Sequence, residues 1–258
     1  MKLISVVTVV FNDVKNIGKT IESVLSQNIS QSELEYIIID GGSTDGTVDV
    51  IKKYINNISV FVSEKDSGIY NAMNKSLQYI TGKWCMFLNS GDVLERNALR
   101  ILDVEADVSS NVAIIYGNTI RSFSHGHRMR HHMVFKEGEL PPVCHQSAFI
   151  RTLIMKKYGY DEHYRICADL DLFKKIYDNH YKFYYVNMDI AVYNMNGFSA
   201  HNMIAFAREK KAIGFKVSSL DMMKFHLKSF LFQLSPRLYN FLLYKSIKHK
   251  TRKEDIFS

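Results

Sequence analysis

The amino-acid sequence predicts an α/β fold in which a mixed, mostly parallel sheet is flanked by helices. Two observations support this prediction. Apolar strand-like runs alternate with amphipathic helix-like segments through residues 3–88, and several of the strand-like runs end in small polar residues. Alternation of this kind produces parallel strands joined by right-handed helical crossovers. Ligands bind such sheets beside the carboxyl ends of the strands, so we expect the functional site there.

The first part of the chain supplies the alternating elements. Residues 3–10 form an unbroken apolar run rich in β-branched side chains, which indicates a strand buried on both faces. Residues 68–80 repeat apolar side chains at helical intervals, which indicates a helix with one buried face. By the same criteria we expect strands at residues 3–10, 36–39, 58–62 and 84–88, and helices at residues 16–27, 45–54 and 68–80.

The alternation is less regular after residue 92. Residues 149–157 fit either a strand or a helix, and residues 168–177 indicate a helix whose first turn is acidic. Further strands are expected at residues 114–118, 183–186 and 190–193.

Composition excludes several classes of protein. Of the 258 residues, 47% are hydrophobic and 23% are charged, as in a soluble globular protein rather than a disordered one. Cys85, Cys144 and Cys167 show neither a zinc spacing nor a disulfide framework, which indicates reduced cysteines in the cytosol. The apolar run near the amino terminus is too short to span a bilayer.

Positive charge is concentrated near the carboxyl terminus. Residues 208–258 carry 12 Lys/Arg and 4 Asp/Glu, whereas the rest of the chain is close to neutral. Residues 220–234 place apolar side chains along one helical face, and Pro236 interrupts this helix. We therefore predict a domain of residues 1–214 and a basic helical extension of residues 215–258. The extension lies either on an anionic membrane surface or against the rest of the protein.

Three common catalytic motifs are absent from the sequence. The dinucleotide-binding G-x-G-x-x-G, the phosphate-binding G-x-x-x-x-G-K-[ST] and the nucleophile-bearing G-x-S-x-G do not occur. Hydride transfer, P-loop phosphoryl transfer and serine hydrolysis therefore lose their usual signatures. Acidic residues at strand ends and at one helix start are the remaining candidates for chemistry.

Each acidic candidate has a functional and a structural interpretation. Asp40 precedes two glycines at a strand end, where it can bind a ribose or a base, although this segment can also simply cap a helix. Asp92 can hold a divalent cation on a diphosphate, or it can belong to a plain turn. Asp169 and Asp171 begin a helix, so either can serve as a general base or merely complement the helix N-terminus.

Taken in order, these segments resemble the inverting family 2 glycosyltransferases of GT-A fold, in particular the bacterial surface-polysaccharide (O-antigen or capsule) branch. The resemblance covers about residues 3–210, and its motifs are specific jointly rather than singly. The segments that carry it are residues 3–12, 39–47, 66–74, 87–92, 144–147, 168–171 and 197–199.

The resemblance implies a set of donor-binding residues. Those expected to hold the nucleoside are Phe11, Asn12 and Asp40, with Asp66 and Asn74 nearby, and those expected beside the diphosphate are Asn89, Ser90 and Gly91. Mn²⁺ or Mg²⁺ is the implied cofactor, with Asp92 and His201 as its candidate ligands.

The resemblance also implies a base and an acceptor site. Asp169 matches the acid that deprotonates the acceptor hydroxyl, and His145 and Gln146 are expected to line the acceptor pocket. Two departures from the family pattern bear on these roles. Asn89 and Gly91 stand where acids are usual in the metal motif, so metal binding is expected to be weak or to use another ligand. Ala168 replaces the first acid of the usual Glu-Asp pair.

The resemblance therefore implies an inverting hexosyltransferase that uses a UDP-sugar, with UDP-glucose as the first candidate. The implied acceptor is a saccharide linked to a lipid diphosphate, and the implied location is the cytoplasmic face of the membrane, reached through the basic extension. A homo-oligomer is possible, and no nucleic-acid partner is expected. The alternatives are a nucleotidyltransferase and a non-catalytic nucleotide-sugar-binding protein.

Overall fold

The computed structural model describes residues 2–123, 128–131, 139–194 and 202–254. The described residues divide into two compact units, the first within residues 2–120 and 130–193 and the second within residues 121–129 and 194–254. The functional boundary predicted between residues 214 and 215 stays a prediction.

A mixed sheet forms the centre of the first unit. Its strands follow the order β3-β2-β1-β4-β8-β6-β9-β5, and β7 pairs with β6. The strands are β1 (Ile4–Val10), β2 (Leu34–Asp40), β3 (Val60–Ser63), β4 (Trp84–Phe87), β5 (Val93–Leu94), β6 (Val112–Ser122), β7 (Arg128–His131), β8 (Ala148–Arg151) and β9 (Lys182–Asn194).

The four parallel strands of the sheet have their carboxyl ends at the same edge. Strand β1 pairs in parallel with β2 and β4, and β2 pairs in parallel with β3. Val10 lies opposite Asp40 in this register, so the loops that follow β1 and β2 begin side by side. Beyond β4 the pairing becomes antiparallel, first with β8 and then between β8 and β6. The predicted α/β fold with a mixed sheet is confirmed.

Helices cover both faces of this sheet. The helices of the first unit are α1 (Ile17–Leu25), α2 (Thr47–Lys52), α3 (Ile69–Ser76), α4 (Thr152–Tyr158) and α5 (Ala168–Asp178). One core cluster joins Val7 and Ile37 of the sheet to buried residues of α3 and α5. A second cluster joins Val6 and Ile38 to the buried face of α1. Alternate residues of β1 and β2 thus enter opposite cores, which explains their unbroken apolar runs.

The antiparallel half differs from the sequence prediction in one element. Residues 183–186 and 190–193 are not two strands, because β9 runs without interruption from Lys182 to Asn194. The carbonyl oxygen of Met188 in β9 would lie only 2.5 Å from a Cβ at Gly117 in β6. A glycine at residue 117 therefore lets the two strands approach closely, and the polar residues between the predicted strands remain extended. The ambiguous residues 149–157 divide into part of β8 and most of α4.

The second unit contains three helices among the described residues, namely α6 (Met203–Ala212), α7 (Ser219–Leu234) and α8 (Pro236–Glu254). A small core of Met203, Phe232 and Tyr239 joins them, and the rings of Phe232 and Tyr239 pack edge to face at 5.4 Å. Ser218 and Asp221 form a capping box at the start of α7. Helix α7 ends before Pro236, which begins α8 where its missing N–H costs nothing. None of the described helices is long and apolar enough to cross a membrane.

Candidate active site

The loops that follow β1 and β2 hold each other through Asn12. Its backbone N–H donates to Oγ of Ser43 at 2.7 Å, and its side-chain Oδ1 accepts from the N–H of Thr44 at 2.9 Å. Asn12 adopts a positive φ of 49°, a conformation that asparagine tolerates better than most residues. The predicted donor residue Asn12 thus shapes the loop of residues 41–46.

Asp40 is buried at the end of β2 and anchors the same loop from below. Its Oδ2 accepts from the N–H groups of Gly42 and Ser43 at 3.1 and 3.0 Å and from Oγ of Ser63 at 2.6 Å. Its Oδ1 accepts from the hydroxyl of Ser43. Its exposed fraction is 0%, so the structure places this predicted donor residue behind the loop rather than on its surface.

A cleft of about 500 Å³ opens above this loop. Phe11 is 63% exposed, and Asp66 projects into the same cleft. Gly41 lies beneath both: a Cβ at residue 41 would lie 2.4 Å from Oδ2 of Asp66 and 3.4 Å from Cδ2 of Phe11. The complete lining is Phe11, Gly41, Gly42, Thr44, Lys65, Asp66 and Gly68.

The side chains of the cleft suit a nucleotide. An exposed aromatic ring can stack on a base, a carboxylate can accept an N–H from the base edge, and a lysine can contact phosphate. Phe11 and Asp66 were predicted from the sequence, whereas Lys65 was missed. Lys65 is the second residue after β3, in the loop to Gly68, so the strand-end rule that selected Asp40 also applies to it.

Asn74 does not line this cleft. Its Nδ2 donates to the carbonyl oxygen of Tyr160 at 2.9 Å and to Oε1 of Glu162 at 2.8 Å. Its Oδ1 accepts from the N–H of Tyr160 at 2.9 Å. The structure therefore gives this predicted donor residue a different place, in which it fixes the segment that leads toward α5.

The turn after β4 contains the candidate metal motif. Oγ of Ser90 donates to Oδ2 of Asp13 at 2.7 Å, and the N–H of Gly91 donates to Oγ1 of Thr20 at 3.0 Å. Gly91 has a φ of 92°, a left-handed conformation that favours glycine. Ser90 thus bonds the turn to the loop after β1, and Gly91 bonds it to α1.

A cation fits this turn only if the phosphates of a bound donor supply further ligands. Asp92 is largely buried and accepts from Nε2 of Gln146 at 3.2 Å. Oδ1 of Asn89 is buried, and no described group donates a hydrogen bond to it. One carboxylate and one amide oxygen are hard ligands of the kind that Mg²⁺ uses together with substrate phosphates. Within the described ranges no group of three or more His, Cys, Asp or Glu side chains could hold a metal, and His201 lies outside them.

The carboxylate of Asp169 is held in the first turn of α5. Its Oδ1 accepts from the N–H of Leu170 at 2.8 Å and lies 3.3 Å from the hydroxyl of Tyr70, which also donates to the carbonyl oxygen of Ile166 at 2.8 Å. Burial, and next the charge of Asp169, raise the pKa of Tyr70 well above its ordinary value, so Tyr70 stays a donor. The side chain of Asp169 is 23% exposed, which leaves it accessible to a hydroxyl.

His145 and Gln146 connect Asp169 with the turn after β4. Nδ1 of His145 lies 3.1 Å from Oδ2 of Asp169, and its Nε2 lies 3.0 Å from Nδ2 of Asn89. Gln146 donates to Asp92, as described above. The structure thus brings together five of the predicted site residues, but neither sequence spacing nor residue type had indicated that His145 contacts Asp169.

Comparison with known proteins identifies relatives of one kind. The family model described as "Glycosyl transferase family 2" matches residues 5–209. A PGL/p-HBAD biosynthesis glycosyltransferase of Mycobacterium bovis is 28% identical over 165 residues, which cover 57% of this chain and 59% of that protein. An uncharacterized glycosyltransferase of Mycobacterium tuberculosis is 30% identical over 172 residues, covering 64% of this chain and 65% of that protein. The chain thus spans about three fifths of the length of these relatives.

Solved structures with the same fold include two nucleotide-sugar complexes. S. aureus TarS in complex with UDP-GlcNAc superposes with a TM-score of 0.63 at 16% identity, covering 89% of this chain and 72% of that one. The mannosyltransferase PcManGT from Pyrobaculum calidifontis, in complex with GDP-Man and Mn²⁺, gives a TM-score of 0.62 at 15% identity, covering 88% and 69%. At these identities the likeness concerns the fold alone, and it confirms the GT-A type of α/β fold.

Proposed function

Because the chain belongs to glycosyltransferase family 2, we propose that it transfers a sugar from a nucleoside-diphosphate donor to a hydroxyl group, with inversion at the anomeric carbon. The observation that carries this proposal concerns α3. The loop before α3 contributes Asp66 and Gly68 to the cleft, and Tyr70 in its first turn reaches the carboxylate of Asp169. One short helix therefore connects a nucleotide-sized cleft with an accessible carboxylate. Family membership also argues against the nucleotidyltransferase alternative.

Asp169 is the proposed general base. Its carboxylate takes the proton of the acceptor hydroxyl while the hydroxyl oxygen bonds to the anomeric carbon, and the bond from that carbon to the diphosphate oxygen breaks on the opposite face. The hydrogen bonds from Leu170 and Tyr70 to Oδ1 and from His145 to Oδ2 orient Asp169, and Oδ2 keeps a lone pair for the acceptor proton.

The proposed donor is a UDP-sugar, with UDP-glucose as the first candidate. We assign the base to the cleft, between the ring of Phe11 and the carboxylate of Asp66, which can accept the N–H of a uracil. Lys65 lines the same cleft and could contact the phosphates of the donor. TarS was solved with UDP-GlcNAc and PcManGT with GDP-Man, which supports a nucleoside-diphosphate sugar as the donor class.

A divalent cation, Mn²⁺ or Mg²⁺, is proposed to accompany the donor. Asp92 and Oδ1 of Asn89 would hold it, with the diphosphate supplying most of the remaining ligands. Such a cation, when bound, would supply positive charge to offset the negative charge that develops on the leaving diphosphate. The two neighbours solved with Mn²⁺, PcManGT and a glucosyl-3-phosphoglycerate synthase of Mycobacterium tuberculosis, support this assignment.

The acceptor is proposed to be a saccharide linked to a lipid diphosphate at the cytoplasmic membrane surface, as in surface-polysaccharide synthesis. The support comes from α7, whose residues Leu220, Met223, Leu227, Phe230 and Leu234 are each more than half exposed. Their spacing of three and four residues places them on one side of the helix, here called the α7 stripe. The buried residues Ser229 and Phe232 lie on a different side of the same helix.

Charge favours an anionic lipid surface over a second protein copy as the partner of the α7 stripe. Residues 219–254 contain eight Lys/Arg and two Asp/Glu, and Lys224 and Lys228 lie beside the stripe. A basic helix with an exposed apolar side binds at the boundary between headgroups and acyl chains, whereas two such helices would repel each other.

Calorimetric titration with UDP, GDP and three UDP-sugars, each with and without Mn²⁺, tests the proposal. We expect UDP to bind more tightly with Mn²⁺ and Asp66→Ala to weaken binding roughly 10- to 100-fold, as for a lost hydrogen bond to a charged group. Asp49→Ala, an exposed acid on α2, is the matched control. Absence of nucleotide binding by the wild type would contradict the proposal. Binding without any UDP release from the UDP-sugars would instead favour the non-catalytic alternative.

A further inference from the structure

We infer that His145 is a positioning residue that joins the base Asp169 to the turn after β4 through Asn89. The inference rests on the proposed function, in which Asp169 accepts the proton. It concerns a connection between two parts of the site that are far apart in the chain, since Asn89 and Asp169 contact opposite nitrogens of the same imidazole.

The contacts of His145 determine where its ring carries a hydrogen. Nδ2 of Asn89 can only donate a hydrogen bond, so Nε2 of His145, 3.0 Å away, is the acceptor. A neutral imidazole that accepts at Nε2 carries its hydrogen on Nδ1, which then donates to Oδ2 of Asp169 at 3.1 Å. The structure therefore assigns the neutral Nδ1–H tautomer, and Asn89 selects it.

The surroundings of His145 restrict its ring to this orientation. The side chain is only 17% exposed, and it begins a 3-10 turn of residues 145–147. Oγ of Ser147 in that turn bonds Oγ1 of Thr119 at 2.9 Å, and Gln146 bonds Asp92. One short turn thus contacts the turn after β4 at two points while it presents the imidazole to Asp169.

The consequence for the reaction is an effect on turnover rather than on donor affinity. A carboxylate that lacks the His145 contact can rotate away from the acceptor, and a misplacement of about 1 Å can reduce the rate about 10²-fold. The nucleotide cleft contains no part of His145, and the proposed cation would use Oδ1 of Asn89 rather than the Nδ2 that contacts His145, so donor binding should change little.

A matched pair of variants separates the two contacts of His145. In His145→Asn the amide can replace the donor at Nδ1 and so keep the contact to Asp169. In His145→Gln the longer amide reaches the Nε2 position and so keeps only the contact to Asn89. We expect His145→Gln to lower kcat about 10²-fold and His145→Asn to lower it less than about 10-fold, with the donor KM within about 3-fold in both.

The readout is UDP release from UDP-glucose, UDP-galactose and UDP-GlcNAc with Mn²⁺, with water as the acceptor, so that the natural acceptor need not be known. His180→Asn, which replaces an exposed histidine away from the site, is the control. Equal losses in the Asn and Gln variants, or a loss only in the donor KM, would overturn the inference.

A spectroscopic measurement on the full chain is independent of turnover. Long-range ¹H–¹⁵N correlation spectra of histidine-labelled protein, with His145 assigned by its loss in His145→Gln, should show protonation at Nδ1. Asn89→Ala should abolish this preference. An Nε2–H tautomer would contradict the assignment. If the wild type released no UDP from any donor, the proposed function and the positioning role would fail together, while the spectrum would still decide the hydrogen-bond network.

Discussion

At the scale of single residues, the cleft proposed to bind the donor depends on the absence of a side chain at Gly41 as well as on the side chains of Phe11 and Asp66. Gly41 has a negative φ, so its backbone conformation does not require glycine. Glycine is required because a Cβ at this position would collide with the carboxylate of Asp66. Asp66 and the ring of Phe11 occupy the space above Gly41. Asp40 and Asn12 do not line this space, and their hydrogen bonds hold the loop that carries Gly41.

Replacing Gly41 with alanine tests this arrangement. The added Cβ would lie 2.4 Å from Oδ2 of Asp66, so the carboxylate must swing away from the base position. Because the end of a side chain moves more easily than backbone, we expect UDP affinity to fall at least about 10-fold while thermal stability changes by less than about 1 kcal/mol. Calorimetry and thermal unfolding measure the two effects.

Gly18→Ala is the matched control for this substitution. Its added Cβ would meet Cγ1 of Val50 at 3.6 Å, an ordinary contact, within helix α1. We expect unchanged UDP binding and equal or higher stability, since alanine favours helices. Undiminished UDP affinity in Gly41→Ala would show that Asp66 does not contact the nucleotide.

At the scale of elements, α7 has apolar residues on two sides, of which one packs against neighbouring helices and the other is exposed. Phe232 packs with Met203 and Tyr239 of the neighbouring helices, and the ring of Phe225 lies 6.0 Å from that of Phe206. The α7 stripe is the apolar face that the sequence pattern had indicated, and the structure leaves most of it exposed.

Polar substitution of the α7 stripe should weaken membrane binding. In a Leu227→Ser, Phe230→Ser double variant we expect partitioning to phosphatidylglycerol vesicles to fall at least about 10-fold, because burial of each large apolar side chain contributes about 1.5–3 kcal/mol. Flotation of the full chain with phosphatidylglycerol and phosphatidylcholine vesicles measures this. Leu153→Ser, at an apolar residue of α4 that is also exposed, should change nothing.

Sedimentation of the same variants tests whether the α7 stripe binds a second copy of the chain instead of a membrane. A wild-type dimer that the double variant converts to a monomer, with vesicle binding unaltered, would assign the stripe to self-association and contradict the membrane proposal. Wild-type binding to zwitterionic vesicles as strong as to anionic ones would contradict the role of the basic charge.

At the scale of the whole first unit, the donor cleft and the base come from different parts of the chain. The cleft uses residues between Phe11 and Gly68, next to the parallel strands. The proposed base, Asp169, belongs to α5, which follows the antiparallel strand β8 and helix α4. Helix α3 and the 3-10 turn of residues 145–147 connect Asp169 to the amino-terminal part. Donor binding and catalysis are therefore expected to respond separately to substitution.

Asp169→Asn tests that separation. The amide keeps the shape of the side chain but cannot accept a proton, so we expect UDP release to fall 10²–10⁴-fold, the usual contribution of a general base, with UDP affinity within about 3-fold. Asp171→Asn is the control on the same helix, because Asp171 pairs with Lys175 at 2.6 Å instead of facing the site. Retained turnover in Asp169→Asn would remove Asp169 as the base.

The sequence by itself determined the elements whose pattern is local. The run in β1, the spacing in α3 and the polar ends of the parallel strands follow from backbone geometry within one element, so they could be predicted without knowledge of packing. The same strand-end rule located Asp40 and Asp92, and the resemblance to a family pointed to Phe11, Asp66 and Asp169.

Only the tertiary structure decided what each of these side chains faces. It buried Asp40 behind its loop, used Asn74 to hold the segment at Tyr160 and placed His145 between Asn89 and Asp169. It also joined two predicted strands into β9 and left the α7 stripe exposed. The physical reason is that these outcomes depend on residues far apart in the chain, whose approach is set by strand register and helix packing rather than by local periodicity.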